Sequence, residues 1–118
     1  MKSDETYLRH ILDAIQLIES YISGVDFEKF SRDSMMSDAV FRQIEIIGEA
    51  ASRLSAEFQR NHPDVPIRKM KSMRNIQIHE YFGVNKKTIW DTCKDDLPTL
   101  KPLIEKALGI DSDGGSFG

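Results

Sequence analysis

The sequence predicts an all-α fold: an antiparallel bundle of four to five helices in one domain. Three observations carry that expectation. Apolar residues recur at spacings of three and four over long stretches, no stretch alternates with period two or holds a hairpin turn, and the connections are short. A chain of 118 residues has the usual size of one domain and can bury roughly two-thirds of its unfolded surface, enough for a single core.

The first helix is expected over residues 4–23, with Leu8, Ile11, Leu12, Ile15, Ile18 and Ile22 on one face and Arg9, Asp13, Gln16 and Glu19 on the other. Gly24 ends it. "VDFEKFSRD" reads as a connector with one helical turn, after which Asp33 or Ser34 caps a second long helix expected to run to residue 60. Val40, Ile44, Ile47, Ala51, Leu54 and Phe58 form its apolar seam, flanked by a small strip of Gly48, Ser52 and Ser55. A helical glycine costs about 1 kcal/mol relative to alanine. Gly48 is therefore expected to admit another backbone, either within the chain or across a dimer.

"NHPDVP" breaks the pattern, and Pro66 suits the first turn of a third helix that ends at "FGVN". Asn85 can cap the last helix, over 86–108, with Ile89, Trp90, Cys93 and Leu97 inward and Pro98 and Pro102 kinking or interrupting it. The helical domain is expected over 1–109, with 110–118 a flexible tail.

Lys+Arg 16 against Asp+Glu 19 gives a formal charge of -3, which excludes a general nucleic-acid coat and leaves room for a focused basic patch. The one cysteine, Cys93, cannot close a disulfide within the chain. His10 and His62 stand isolated, without metal-ligand spacing, and no metal site is expected. The polar N-terminus has no apolar signal core, and no run approaches the roughly 20 residues needed to span a bilayer. A cytoplasmic protein without membrane contact is expected.

The chemistry concentrates in "MRNIQIHEY", residues 73–81. On an ideal helix Ile67, Met70, Ile78 and Tyr81 share one face, with Arg74 in its midst. An unpaired arginine there would be costly to desolvate, so an acidic partner is expected, Glu45 or Glu49 in a structural salt bridge, or else an anion from outside. His79 lies about 140° around from Arg74, beside Arg68, Lys71, Ser72 and Asn75 on a polar, locally basic face. Convergence of the two requires a loosened helix, a long reach by the arginine, or a second copy. A histidine, with a reference pKa of about 6.5, suits proton transfer near neutrality. A neutral His79 can take the proton of a ribose 2′-OH while Arg74 holds the phosphoryl oxygens, without a metal. The plainer alternative is a solvated or capping histidine. Arg68 and Lys71 are candidates for a rim that attracts RNA.

The blocks "LRHILDAIQLIESYI", "DAVFRQIEIIGEAASRLS", "MRNIQIHEYFGV" and "IWDTCKDDLPTLKPLIEKAL" resemble, in order and spacing, the HepT-like proteins of the HEPN superfamily, toxins of prokaryotic toxin-antitoxin pairs of the type VII-like kind. Arg74, His79 and Tyr81 match the family's Arg-x4-His-x-Tyr motif, and Asn75 supplies the frequent asparagine. The resemblance implies a two-fold homodimer with the motif helices near the axis and a metal-independent RNA endonuclease that needs no cofactor. Arg74 and His79 would be its catalytic pair, supported by Asn75, Tyr81, Glu45 and Glu49. It also implies an MNT-type nucleotidyltransferase antitoxin that, in some members, transfers AMP to the motif tyrosine, here Tyr81. The alternative is a non-catalytic partner and AMP acceptor of that nucleotidyltransferase.

Overall fold

The computed structural model describes residues 3–75 and 86–110, and over these the chain is helical. Helix α1, Asp4–Ile22, begins where Ser3 Oγ accepts a hydrogen bond from the Thr6 amide at 3.3 Å, and Asp4 and Glu5 complement the positive helix start. All six apolar positions expected to face inward are buried. Gly24, with φ of 72°, reverses the chain in a conformation that a side chain would strain.

The connector forms a short helix, α2, Phe27–Arg32. Its Phe30 is fully buried, with its ring 5.1 Å from that of Trp90. Asp33 then caps α3, Ser34–Ser52, accepting from the Met36 amide at 3.0 Å. Helix α3 is the centre of the molecule, packed against α1 on one side and the segment 67–75 on another.

The second helix does not continue to residue 60. It stops at Ser52, and a separate helix α4, Ala56–Asn61, follows. Leu54 and Phe58 are buried as the seam requires, but Ser55 between them has extended backbone and caps α4, its Oγ accepting from the Phe58 amide at 3.0 Å. Ser55 is also tied to the start of α1: its amide and hydroxyl donate to the Asp4 carboxylate at 2.8 and 2.7 Å. The start of α1 thus meets the end of α3, which makes the pair antiparallel. A periodic apolar seam cannot reveal this bend, because both sides of it stay in the core.

The third helix changes form after its first turns. Helix α5, Ile67–Ser72, buries Ile67 and Met70 and passes into a 3₁₀ turn, Met73–Asn75. The expected continuation to "FGVN", the Asn85 cap, and the placement of Ile78, His79 and Tyr81 lie outside the described residues.

The last segment is one run in three parts: α6, Lys86–Asp91, a π turn, Thr92–Asp96, and α7, Leu97–Ala107. Ile89, Trp90, Cys93 and Leu97 face inward, as expected. The π turn sits just before Pro98, where the ring removes a backbone donor, and the Leu97 amide reaches back five residues to the Thr92 carbonyl. At the end of α7 Gly109 has φ of 78°, and the Ile110 amide donates to the Glu105 carbonyl at 2.8 Å. Ile110 therefore belongs with the helix end, while the rest of the expected tail lies outside the described residues. Among the described residues no helix is long and apolar enough to cross a membrane.

Candidate active site

The exposed face of α3 supplies most of the site. Arg42, Glu45, Ile46, Glu49 and Arg53 follow one another at helical spacing, opposite the face that carries Val40, Ile44, Ile47 and Ala51 into the core. Across from them stand Tyr7 and His10, three residues apart near the start of α1. Arg74, on the 3₁₀ turn, completes the wall of an open groove of about 640 Å³.

What brings Arg74 there is Gly48. A β-carbon on Gly48 would lie 2.7 Å from Arg74 Cβ and 3.0 Å from its Cα, so only glycine lets the turn press against α3 at this point. The close approach expected of Gly48 is thus made within the chain. The other small residues of the strip also have internal partners: Ser52 Oγ donates to the Glu49 carbonyl at 2.6 Å, and Ser55 serves α4 and Asp4.

The root of Arg74 is packed on Gly48 while its guanidinium reaches outward. Met73 takes the buried position at 5 % exposure, and the Arg74 side chain remains 45 % exposed. The expected acidic partner is present: Arg74 Nη1 donates to Glu49 Oε1 at 3.3 Å. Glu49 Oε2 in turn accepts from Arg53 at 3.1 Å, so one carboxylate bridges two guanidiniums. Glu45 is not the partner of Arg74, and stands 3.9 Å from Arg42. Pairs this exposed contribute about 0–1 kcal/mol each, so their consequence is orientation more than stability.

The groove's charge is specific. Three arginines face two glutamates, an excess of one positive charge in a protein that carries -3 overall. Tyr7 and His10 add an edge-on aromatic pair with ring centroids 6.1 Å apart.

Of the residues singled out in the sequence, Arg74, Glu45 and Glu49 come together here. Arg68 and Lys71 lie on α5 and are not part of the groove wall, and Asn75 contributes backbone to the 3₁₀ turn. His79 and Tyr81 lie outside the described residues. Arg42, Arg53, Tyr7 and His10 were not expected in the site. Arg53 had a legible signal, four residues after Glu49, and Arg42 likewise precedes Glu45 by three. Tyr7 and His10 had none, since their place follows from which helix lies beside α3. His10, isolated in the sequence, is not isolated in space.

The HepT-like family, described as ribonuclease HepT-like, matches residues 11–107. A Thermococcus cleftensis protein named "Probable ribonuclease HepT" is 44% identical over 105 residues, covering 89% of this chain and 96% of that one. A Caldanaerobacter subterraneus protein that bears an RNase name is 39% identical over 108 residues, 92% of this chain and 96% of its own. A Methanocaldococcus jannaschii protein, also with an RNase name, is 34% identical over 101 residues, 86% and 93% of the two chains. No solved structure gives a significant match. The helical fold, the matched span and these near full-length relatives agree: the chain belongs to the HepT-like ribonuclease family.

Proposed function

We propose that the chain is a metal-independent RNA endonuclease, the toxin of a toxin-antitoxin pair, acting as a two-fold homodimer. The observation that supports this most is the placement of Arg74: seated on Gly48, oriented by Glu49, and still 45 % exposed at an open groove with a cationic excess. A purely structural ion pair does not need that exposure, nor a second arginine on the same carboxylate.

In the reaction, His79 removes the ribose 2′-OH proton and the 2′-oxygen attacks phosphorus. Arg74 stabilises the charge that builds on the phosphoryl oxygens. The 5′-oxygen leaves with a proton from a histidine of the second copy, and the first product ends in a 2′,3′-cyclic phosphate. Asn75 supports the motif turn, Glu45 and Glu49 the arginines, and Arg68 and Lys71 the approach of RNA.

Silencing falls to Tyr81. A nucleotidyltransferase antitoxin moves AMP from ATP to its hydroxyl, with release of pyrophosphate, and the added phosphodiester occupies the place of an RNA phosphate. Incubation with the partner, ATP and magnesium followed by peptide mass spectrometry reads the modification directly. The reading requires added AMP on Tyr81 and loss of RNA cleavage. AMP on Tyr81 of a protein that never cleaves RNA would favour an AMP acceptor without nuclease activity.

A further inference from the structure

The groove extends beyond Arg74, and its farther walls are not needed for the proton transfers just described. We propose that it is a nucleotide subsite: it receives one nucleotide of a single-stranded RNA beside the scissile linkage, the phosphate against Arg53 and Arg74 and the base against Tyr7 and His10. This rests on the ribonuclease reading and adds to it where the strand lies.

Three features of the groove carry the assignment. The first is the bridge. Glu49 holds Arg74 at 3.3 Å and Arg53 at 3.1 Å with its two oxygens, so the guanidiniums are already spaced to share one oxyanion. An arginine has five donors and can bind a carboxylate and a phosphate together, or exchange one for the other. The second is the aromatic pair: Tyr7 is half-buried and held by its helix, His10 is exposed, and their rings meet at 88° with a 6.1 Å separation. Such a pair offers a face for stacking, which every base can use and which carries no sequence code. The third is size and charge. A volume of about 640 Å³ falls in the range of small-molecule sites, roughly 300–1,000 Å³, and the excess of arginine over glutamate favours an anionic occupant such as a phosphate.

The test uses the whole chain and a short, fluorescein-labelled, single-stranded 2′-O-methyl RNA, which binds but has no 2′-OH to react. Fluorescence anisotropy should show binding that weakens about fivefold or more in Tyr7→Ala and His10→Ala, with His10→Phe restoring most of it through the retained ring. Arg53→Gln should weaken binding and reduce the slope of log affinity against log salt by about 0.7, one phosphate contact on a single strand. Lys106→Ala, exposed on α7, should change nothing. Circular dichroism confirms that each variant is folded. Wild-type binding that none of the groove substitutions alters would overturn the subsite, as would no binding at all. So would substitutions that convert a dimer to a monomer in sedimentation while leaving RNA affinity unchanged, since the groove would then be an interface between copies. Cleavage of unmodified RNA is measured in parallel. Groove-dependent binding without any cleavage would support the subsite and overturn the ribonuclease reading alone.

Discussion

Gly48 lies directly against the backbone of Arg74, and a β-carbon at position 48 would come within 2.7 Å of the arginine's own. Because backbone atoms of Arg74 are among those it would meet, the clash cannot be relieved by a side-chain rotation. Gly48→Ala should gain about 1 kcal/mol of helix propensity and lose about 1–3 kcal/mol to overpacking. The net expected is a loss of about 0–2 kcal/mol in denaturant unfolding, with RNA cleavage reduced more than stability predicts because Arg74 is pushed out of place. A more stable variant with full activity would show that the contact positions nothing.

In the proposed reaction Glu49 would act through the two arginines it holds. Glu49→Gln keeps its shape and removes its charge, so RNA should bind more tightly while Arg74 and Arg53 are held less firmly. The expected signature is a lower KM together with a kcat lower by about fivefold, roughly 1 kcal/mol of lost orientation. A loss confined to KM would make Glu49 a substrate contact instead.

The tie between Asp4 and Ser55 fixes where α1 meets the bend after α3. Asp4→Ala should cost about 1 kcal/mol, and Ser55→Ala about 1–2 kcal/mol because it also uncaps α4. The double variant should cost less than the sum, since both remove the same bond. Strict additivity in a double-mutant cycle would mean that the bond does not contribute.

Burial pushes the Cys93 thiol up to about 12, well above the ordinary thiol range, despite the opposing pull of Lys94. The folded protein should therefore resist iodoacetamide at pH 8, reacting only as fast as it unfolds. The unfolded thiol ionises near pH 9 and the folded one near 12, so this contribution is fully present below pH 9 and is lost as pH rises between the two. Cys93→Ser should reduce the alkaline part of that loss. Rapid alkylation of folded protein at pH 8 would contradict the burial.

Most of the fold was legible because apolar spacing reports directly on the buried face. The six inward positions of α1 and the four of α6, the π turn and α7 follow from period alone. What was not legible came from local hydrogen bonds that compete with the helix at positions the period leaves unchanged. Ser55 prefers Asp4 and the Phe58 amide to its place in a longer helix, and Leu54 and Phe58 stay buried either way. The same holds at the site. An acidic partner for Arg74 could be deduced from the cost of a bare charge, but its place on a groove wall and its 45 % exposure depend on tertiary packing. Tyr7 and His10 join the groove through tertiary packing, to which sequence spacing is blind.

In the proposed mechanism Arg74 stabilises phosphoryl-transfer charge in a reaction that uses the RNA's own 2′-OH. The most direct measurement is cleavage of single-stranded RNA by purified wild-type and Arg74→Ala protein in excess EDTA, with the product ends resolved by mass spectrometry. The account predicts cleavage by the wild type, products ending in 2′,3′-cyclic phosphate, and a loss of about two or more orders of magnitude in the variant with helicity unchanged. Products with 3′-hydroxyl ends, activity that appears only with added magnesium, or an Arg74→Ala protein as fast as the wild type would contradict it.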